Sequence, residues 1–377
     1  MKKITKHIPI VIIMLLCIPL GILLGQESGR LYEASPLKGI YALASMTLSL
    51  IVAFYFSVIT HEGGHLIFGL LSGYRFSSFR ISGLMLIKQD GKMKLKRFKL
   101  AGTGGQCLMC PPEPKNGEYP VLIYNLGGVI LNIFFAVVAF VLYYTLDFIP
   151  VLSLLLLLIG IFSAFFAISN GIPISAGGIS NDGMNALHLS KDKTAAAVFR
   201  NQLLMNAAQA GGARISEMPD EWFALPEGAD MQNVHCASIA VFAASRPLDR
   251  GDTVEAERQI YQLLHSGYNV IGLHKNLLTC DLIYCRLVNN PTVDVSHLIT
   301  EELKKIMRMM NSYPSIIRTE YTLALLQEKN EKKAEEIMSK YEKITRKFPY
   351  SQEIDAERNF MLRALEIYKS TNNAGQN

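Results

Sequence analysis

The stretch SVITHEGGHLIFGLL, Ser57 to Leu71, sets two histidines and a glutamate inside an otherwise apolar run. Ionisable groups cost a few kcal/mol or more within a membrane span, so their retention there points to a function. HEGGH fits the pattern H-E-x-x-H. On a helix, residues four apart share a face, so His61 and His65 can offer their imidazoles to one ion. Glu62 projects to the side, near enough to act on a water at that ion without being a ligand. Zinc suits such ligands, and a catalytic zinc keeps one position open for water. It lowers the pKa of that water to around 7. Glu62 would then take the proton and return it to the leaving amine.

Two imidazoles leave such a site short of a ligand. SNGIPISAGGISNDGMNALHL, Ser169 to Leu189, holds Asn170, Pro173, Asp182, Asn185 and His188 in a glycine-rich stretch that reads as non-helical. Asp182 is the only carboxylate between Asp147 and Asp192. It is the leading candidate for the third ligand, with His188 as the alternative. Gly63 and Gly64 each weaken a helix by about 1 kcal/mol relative to alanine. Either another backbone approaches the metal there, or helices pack tightly.

These residues need elements to carry them. Of the 377 residues, 50% are hydrophobic and 18% charged, and the mean hydropathy is +0.23. The apolar residues crowd into the first 180 positions and the charged ones into the rest. The expected fold is therefore an all-α polytopic membrane protein with a helical soluble region. Spans are expected at about 8–25, 40–73, 119–146 and 151–174. The first lacks a clear A-x-A cleavage site and reads as a retained helix rather than a secretory signal. The second holds 34 residues, about 51 Å at ~1.5 Å per residue. It places HEGGH towards the cytoplasmic boundary of a ~30 Å hydrocarbon core.

Lys2, Lys3 and Lys6 precede the first span, and nine basic residues from Arg75 to Lys115 follow the second. The connection near Asp147 has none. Four crossings from a cytoplasmic start put both basic segments inside, together with the C-terminal half. The pI of about 8.7 reflects that loop, so the charge reads as topology and not as nucleic-acid binding. Five of the six cysteines fall on the cytoplasmic side, which argues against a disulfide framework. Cys107 and Cys110 have the spacing of half a zinc ribbon, but no second pair follows, and they read as structural.

Between the second and third spans, ISGLMLIK, Asp90-Gly91 and KMKLKRFKL predict a β-hairpin within about 76–105. Its apolar side would lie on the inner membrane face with lysines towards headgroups. An open strand edge there would suit an extended peptide. GTGG, Gly102 to Gly105, lacks the lysine of a phosphate loop. Residues 1–190 thus read as a membrane-embedded domain and 191–377 as a cytoplasmic helical one. KTAAAVFRNQLL, VEAERQIYQLLHSG, ITEELKKIMRMM, EKKAEEIMSKYEKI and EIDAERNFMLRALEIY show helical spacing. GDTVEAERQI, NPTVDVSHLI and EKNEKKAEEI recur at a step of about 39 residues, as in tetratricopeptide hairpins. A plain helical bundle fits the same pattern.

An H-E-x-x-H in one membrane helix, followed at the end of a later one by Asn-x-x-Pro and Asp-Gly, resembles the site-2 protease family of intramembrane zinc metalloproteases. The resemblance covers about residues 40–190. It implies Zn2+ held by His61, His65 and Asp182, with Glu62 as general base. It also implies that Asn170 helps to position the substrate backbone or the developing oxyanion. NLGGVILN, Asn125 to Asn132, is similar to the family's small-residue and asparagine motif, and the hairpin is similar to its membrane-facing β element. Two features depart from the pattern. Asn181 precedes Asp182 where leucine is usual, and SAGGIS lengthens the step from Asn170. No segment reads as a PDZ domain.

The expected activity is hydrolysis of a peptide bond in or near a membrane span. The partners are a membrane-protein or precursor-peptide substrate, the lipid bilayer, and a protein recruited by the C-terminal helices. The competing reading is a membrane-anchored scaffold with a structural metal or none. A zinc sensor or carrier ranks third, because no polar cluster appears in the first or third span.

Overall fold

The computed structural model describes residues 8–89, 91–98, 103–146, 149–176, 179–346 and 348–374. Lys2, Lys3 and Lys6, Asp90 of the expected hairpin turn, Lys99, Gly102 and Asp147 lie outside them. Four long helices, α1 (Ile8–Glu33), α2 (Lys38–Leu71), α3 (Val121–Thr145) and α4 (Pro150–Gly171), cover most of the four stretches read as spans. Among the described residues, α2, α3 and α4 are long and apolar enough to cross a membrane. Pro150 starts α4 with its φ already helical. Pro173 forces Ile172 out of the helical region, and Ile172 is extended at φ −71°, ψ 123°.

The chain divides into two compact units, and the division falls within α2 and α3. The first comprises the residues up to Gly64 and Gly127–Ile172. Leu31, Ala42, Ala53, Leu154 and Leu158 make a buried core there. Glu27 of α1, 2% exposed, pairs with Arg30 at 3.0 Å and accepts the Tyr143 hydroxyl of α3 at 3.1 Å. Gly64 brings α2 against the backbone of α3, since a Cβ there would stand 2.7 Å from Gly128 Cα. Tight helix packing therefore accounts for Gly64, whereas a Cβ on Gly63 would meet nothing within 4 Å.

The second unit holds His65–Leu126 and everything from Pro173 onward. Its antiparallel sheet has the order β3-β2-β1-β4, from β1 (Arg75–Ile81), β2 (Leu84–Gln89), β3 (Lys92–Arg97) and β4 (Gly105–Cys110). The expected hairpin is present as β2 and β3, with Leu86 opposite Leu95 and Gly91 at φ +74°. ISGLMLIK is not one strand, however. Ser82, at φ +53°, turns the chain tightly before Gly83, so Ile81 ends β1 and Leu84 starts β2 opposite it. The β element is larger than a hairpin because β4 adds to the far side of β1, across a bulge at Ser77. One face of β2 buries Met85 and Ile87 with Ala210 and Tyr350. Leu84, Leu86, Met93 and Leu95 of β2 and β3 are exposed.

Ser175–Ala176 and Ile179–Ser180 form a minimal hairpin, β5 and β6. Helix α5 (Asp182–Lys191) follows. Asp182, Asn185 and His188 therefore lie on a helix and not in the non-helical stretch expected of them. Asn181 explains this, because its side chain accepts from Met184 N at 3.0 Å as an N-cap.

The remaining helices are α6 (Lys193–Gly211), α7 (Val234–Asp249), α8 (Thr253–Leu264), α9 (Gly272–Asn289), α10 (Glu301–Met309), α11 (Pro314–Thr322), α12 (Glu331–Thr345) and α13 (Ser351–Ala374). Those at KTAAAVF, VEAERQI, ITEELKK, EKKAEEI and EIDAERN sit where the spacing predicts; α7, α9 and α11 are additional. In the faint repeat, the first and third members begin alike. Asp252 and Asn330 cap α8 and α12, each after a positive-φ residue, Gly251 or Lys329. NPTVDVSHLI does not start a helix. It forms a turn and a short 3-10 segment at Ser296–Leu298.

Candidate metal centre

The apolar helix α2 presents His61, Glu62 and His65 on successive turns, 8%, 9% and 9% exposed. The two histidines are held by different devices, each on α3. His61 Nδ1 lies 3.2 Å from the side-chain amide of Asn132, itself fully buried. Gly128 leaves room for the ring, as a Cβ there would stand 2.7 Å from His61 Nδ1 and Cε1. His65 Nδ1 lies 2.8 Å from the carbonyl oxygen of Tyr124. That oxygen can only accept, so His65 carries its proton on Nδ1 and turns Nε2 towards Asp182.

Asp182, in the first turn of α5, reaches His65 directly. Its Oδ2 stands 3.4 Å from His65 Nε2. Two ligands bound about 2.0–2.1 Å from a tetrahedral zinc stand roughly 3.3–3.4 Å from each other. A charge-assisted hydrogen bond would instead be about 2.7–2.9 Å. The spacing fits two ligands of one ion better than a direct bond. His61, His65 and Asp182 make a group that could hold a metal ion.

Among the other candidates, Asn170 lies in the last turn of α4. Its Nδ2 donates to Phe166 O at 3.0 Å. His188 sits on α5 six residues beyond Asp182, on a different face, and is outside the group. Cys107 and Cys110 are three apart on β4, so their side chains leave opposite faces of the strand. Cys107 is buried with Tyr74 and Tyr124, while Cys110 lies 3.5 Å from Arg75. Strand geometry thus removes the half-ribbon reading. Tyr124 was not legible as a site residue, because it acts through its main chain. Asn132 had two signals, an amide within an apolar span and its place at the end of NLGGVILN.

The two histidines stand on a helix long and apolar enough to cross a membrane, and Asp182 starts the short helix α5. The family model of Peptidase family M50 matches residues 49–347, most of the chain and all of these residues, and the chain belongs to that family. The family is that of the site-2 proteases, as the residues of HEGGH and the Asp-Gly step indicate. No curated protein and no solved structure matches the chain.

Proposed function

We propose that the chain is an intramembrane zinc endopeptidase that cleaves a membrane protein or precursor peptide in or near a transmembrane segment. His61, His65 and Asp182 are the metal ligands in this reading, and Glu62 is the general base. The observation that carries it is the 3.4 Å approach of Asp182 to His65 Nε2, from a stretch remote in sequence to the helix that bears HEGGH. A zinc ion in such a group supplies Lewis acidity, which polarises a carbonyl and makes water more acidic.

The chain's own residues supply the rest. A membrane helix resists hydrolysis because its backbone is bonded internally and water is scarce. Cleavage needs water, a base and an extended substrate. Glu62, one residue from a ligand on the same helix, takes the proton of the attacking water and delivers it to the leaving nitrogen. Asn170 offers an amide to the substrate backbone or the developing oxyanion. The sheet offers extended substrate an edge strand, and the exposed Leu84, Leu86, Met93 and Leu95, with Lys88 and Arg97 on the same face, suit contact with anionic lipid. The charge pattern supports a multi-pass cell-membrane protein with residues 191–377 in the cytoplasm. There the helices, stacked in tetratricopeptide manner, would receive a protein partner.

The test is Glu62→Gln, measured on a transmembrane substrate with the metal content of the same preparation. Cleavage should fall by about 10²–10⁴-fold with the metal retained. Full activity in that variant would remove Glu62 as the base. Asp182→Ala should lose both metal and activity.

A further inference from the structure

His61 and Asn132 raise a question that His65 does not. An imidazole that gives Nε2 to a metal must hold its proton on Nδ1 and needs an acceptor there. For His65 the acceptor is a carbonyl oxygen. For His61 it is an amide, which can present either its oxygen or its nitrogen.

The neighbouring groups decide between the two orientations. Thr60 Oγ1 lies 3.1 Å from Ser57 O and 2.9 Å from Asn132 Oδ1, while Asn132 Nδ2 faces His61 Nδ1 at 3.2 Å. Arranged so, one threonine proton serves two acceptors. Nδ2 also donates to Nδ1, which leaves the ring proton on Nε2, the atom that a metal needs. A half-turn of the amide occupies the same space and reverses both relations. Oδ1 then accepts from His61 Nδ1–H, and Nδ2 donates to Thr60 Oγ1. The threonine proton is left for Ser57 O alone. Each of these donors now has one acceptor. Ser57 and Asn132 are fully buried and Thr60 is only 8% exposed, so an unmatched donor or acceptor among them would be costly.

We propose that Asn132 is the positioning residue of the centre: with its oxygen turned to His61 Nδ1 and its nitrogen tied by Thr60 to the Ser57 carbonyl, it fixes the tautomer that presents Nε2 to the metal. The inference rests on His61 being a ligand. It adds that the orientation of one buried amide sets whether that ligand is ready, and that the relay runs from Ser57 through Thr60.

The experiment measures zinc affinity by chelator competition on the purified full chain in detergent, independent of cleavage. Asn132→Asp keeps an acceptor and removes the donor, and it should bind zinc as tightly as the wild type or more so. Asn132→Leu removes both and should lose about 10–100-fold in affinity. Should Asn132→Leu not fold, Asn132→Asp alone decides, since a tenfold loss there would mean that an acceptor facing His61 Nδ1 is not what zinc binding needs and would overturn the assignment. Wild-type affinity in a folded Asn132→Leu would overturn it equally. Asp182→Ala separates the two levels. If it loses zinc while Asn132→Leu keeps it, only the role of Asn132 fails; if it keeps zinc too, the ligand set itself is wrong.

Discussion

At the scale of single residues, the centre depends as much on missing side chains as on present ones. Gly128 faces the His61 ring with no room for a methyl group, at 2.7 Å from two ring atoms and 2.8 Å from the His61 carbonyl oxygen. Neither the ring, held by Asn132, nor the helix backbone can retreat cheaply. Gly128→Ala should therefore destabilise the protein by about 1–3 kcal/mol, as overpacking does, and lower its metal content. Gly63→Ala is the contrasting case. Its added methyl meets open space, and replacing a helical glycine gains up to about 1 kcal/mol. Thermal unfolding of the two variants, read beside metal content, should move in opposite directions. HEGGH was legible because three polar side chains in an oily helix demand a reason. The glycine roles were not, because sequence does not say which side of a helix faces its neighbour.

At the scale of elements, the proposed ligand Asp182 stands at a helix start. Asn181 accepts from Met184 N at 3.0 Å and from Ile174 N at 3.1 Å, so one side chain caps α5 and ties down Ile174, just ahead of β5. Asp182 begins the helix that this cap stabilises. Asn181→Ala should cost about 1 kcal/mol and weaken any metal binding while leaving all three proposed ligands in place; Asn181→Ser, which also caps, should restore it. Hydrogen exchange across 182–191 should rise in the alanine variant alone, and unchanged exchange would count against the cap. The stretch reads as a loop because Gly183 and Asn185 are poor helix formers, yet one cap and the packing of Ala186 and Leu189 outweigh that. Helices α9 and α11 stayed hidden for the opposite reason. Leu278, Leu282, Ile283, Tyr284 and Leu287 bury α9 on several sides, so it shows no apolar stripe to recognise. Strand β4, QCLMC, lacks the alternation of its neighbours.

At the scale of the whole molecule, the asymmetry between an oily first half and a charged second half was plain from composition, but not what the second half does with its charges. Arg318 is fully buried, paired with Asp281 and with Glu357 at 3.1 Å, and its guanidinium lies 4.7 Å from the Tyr284 ring centre. Glu353, Glu357, Asp281 and Asp249 line one cavity of about 310 Å³ next to Arg214. Burial, and then the neighbouring Glu357, pushes the Glu353 carboxyl from 4.5 up to about 8. Burial also lifts Glu357 to about 7, against the opposing pull of Arg318. A carboxyl raised in the folded state keeps a proton that the unfolded chain releases above pH 4.5. Stability is then lost as pH climbs towards 8. His235, which burial lowers to about 4, acts in the other direction, losing stability as pH falls from 6.5 towards 4. Above pH 7 it is neutral in both states, so the slope that remains there belongs to the acids. The full chain should melt at a lower temperature at pH 8 than at pH 7. Glu353→Gln, neutral at both, should raise the pH 8 melting temperature and flatten that slope. A Gln variant with the wild-type slope would mean that the helical core carries its excess carboxylate charge without strain.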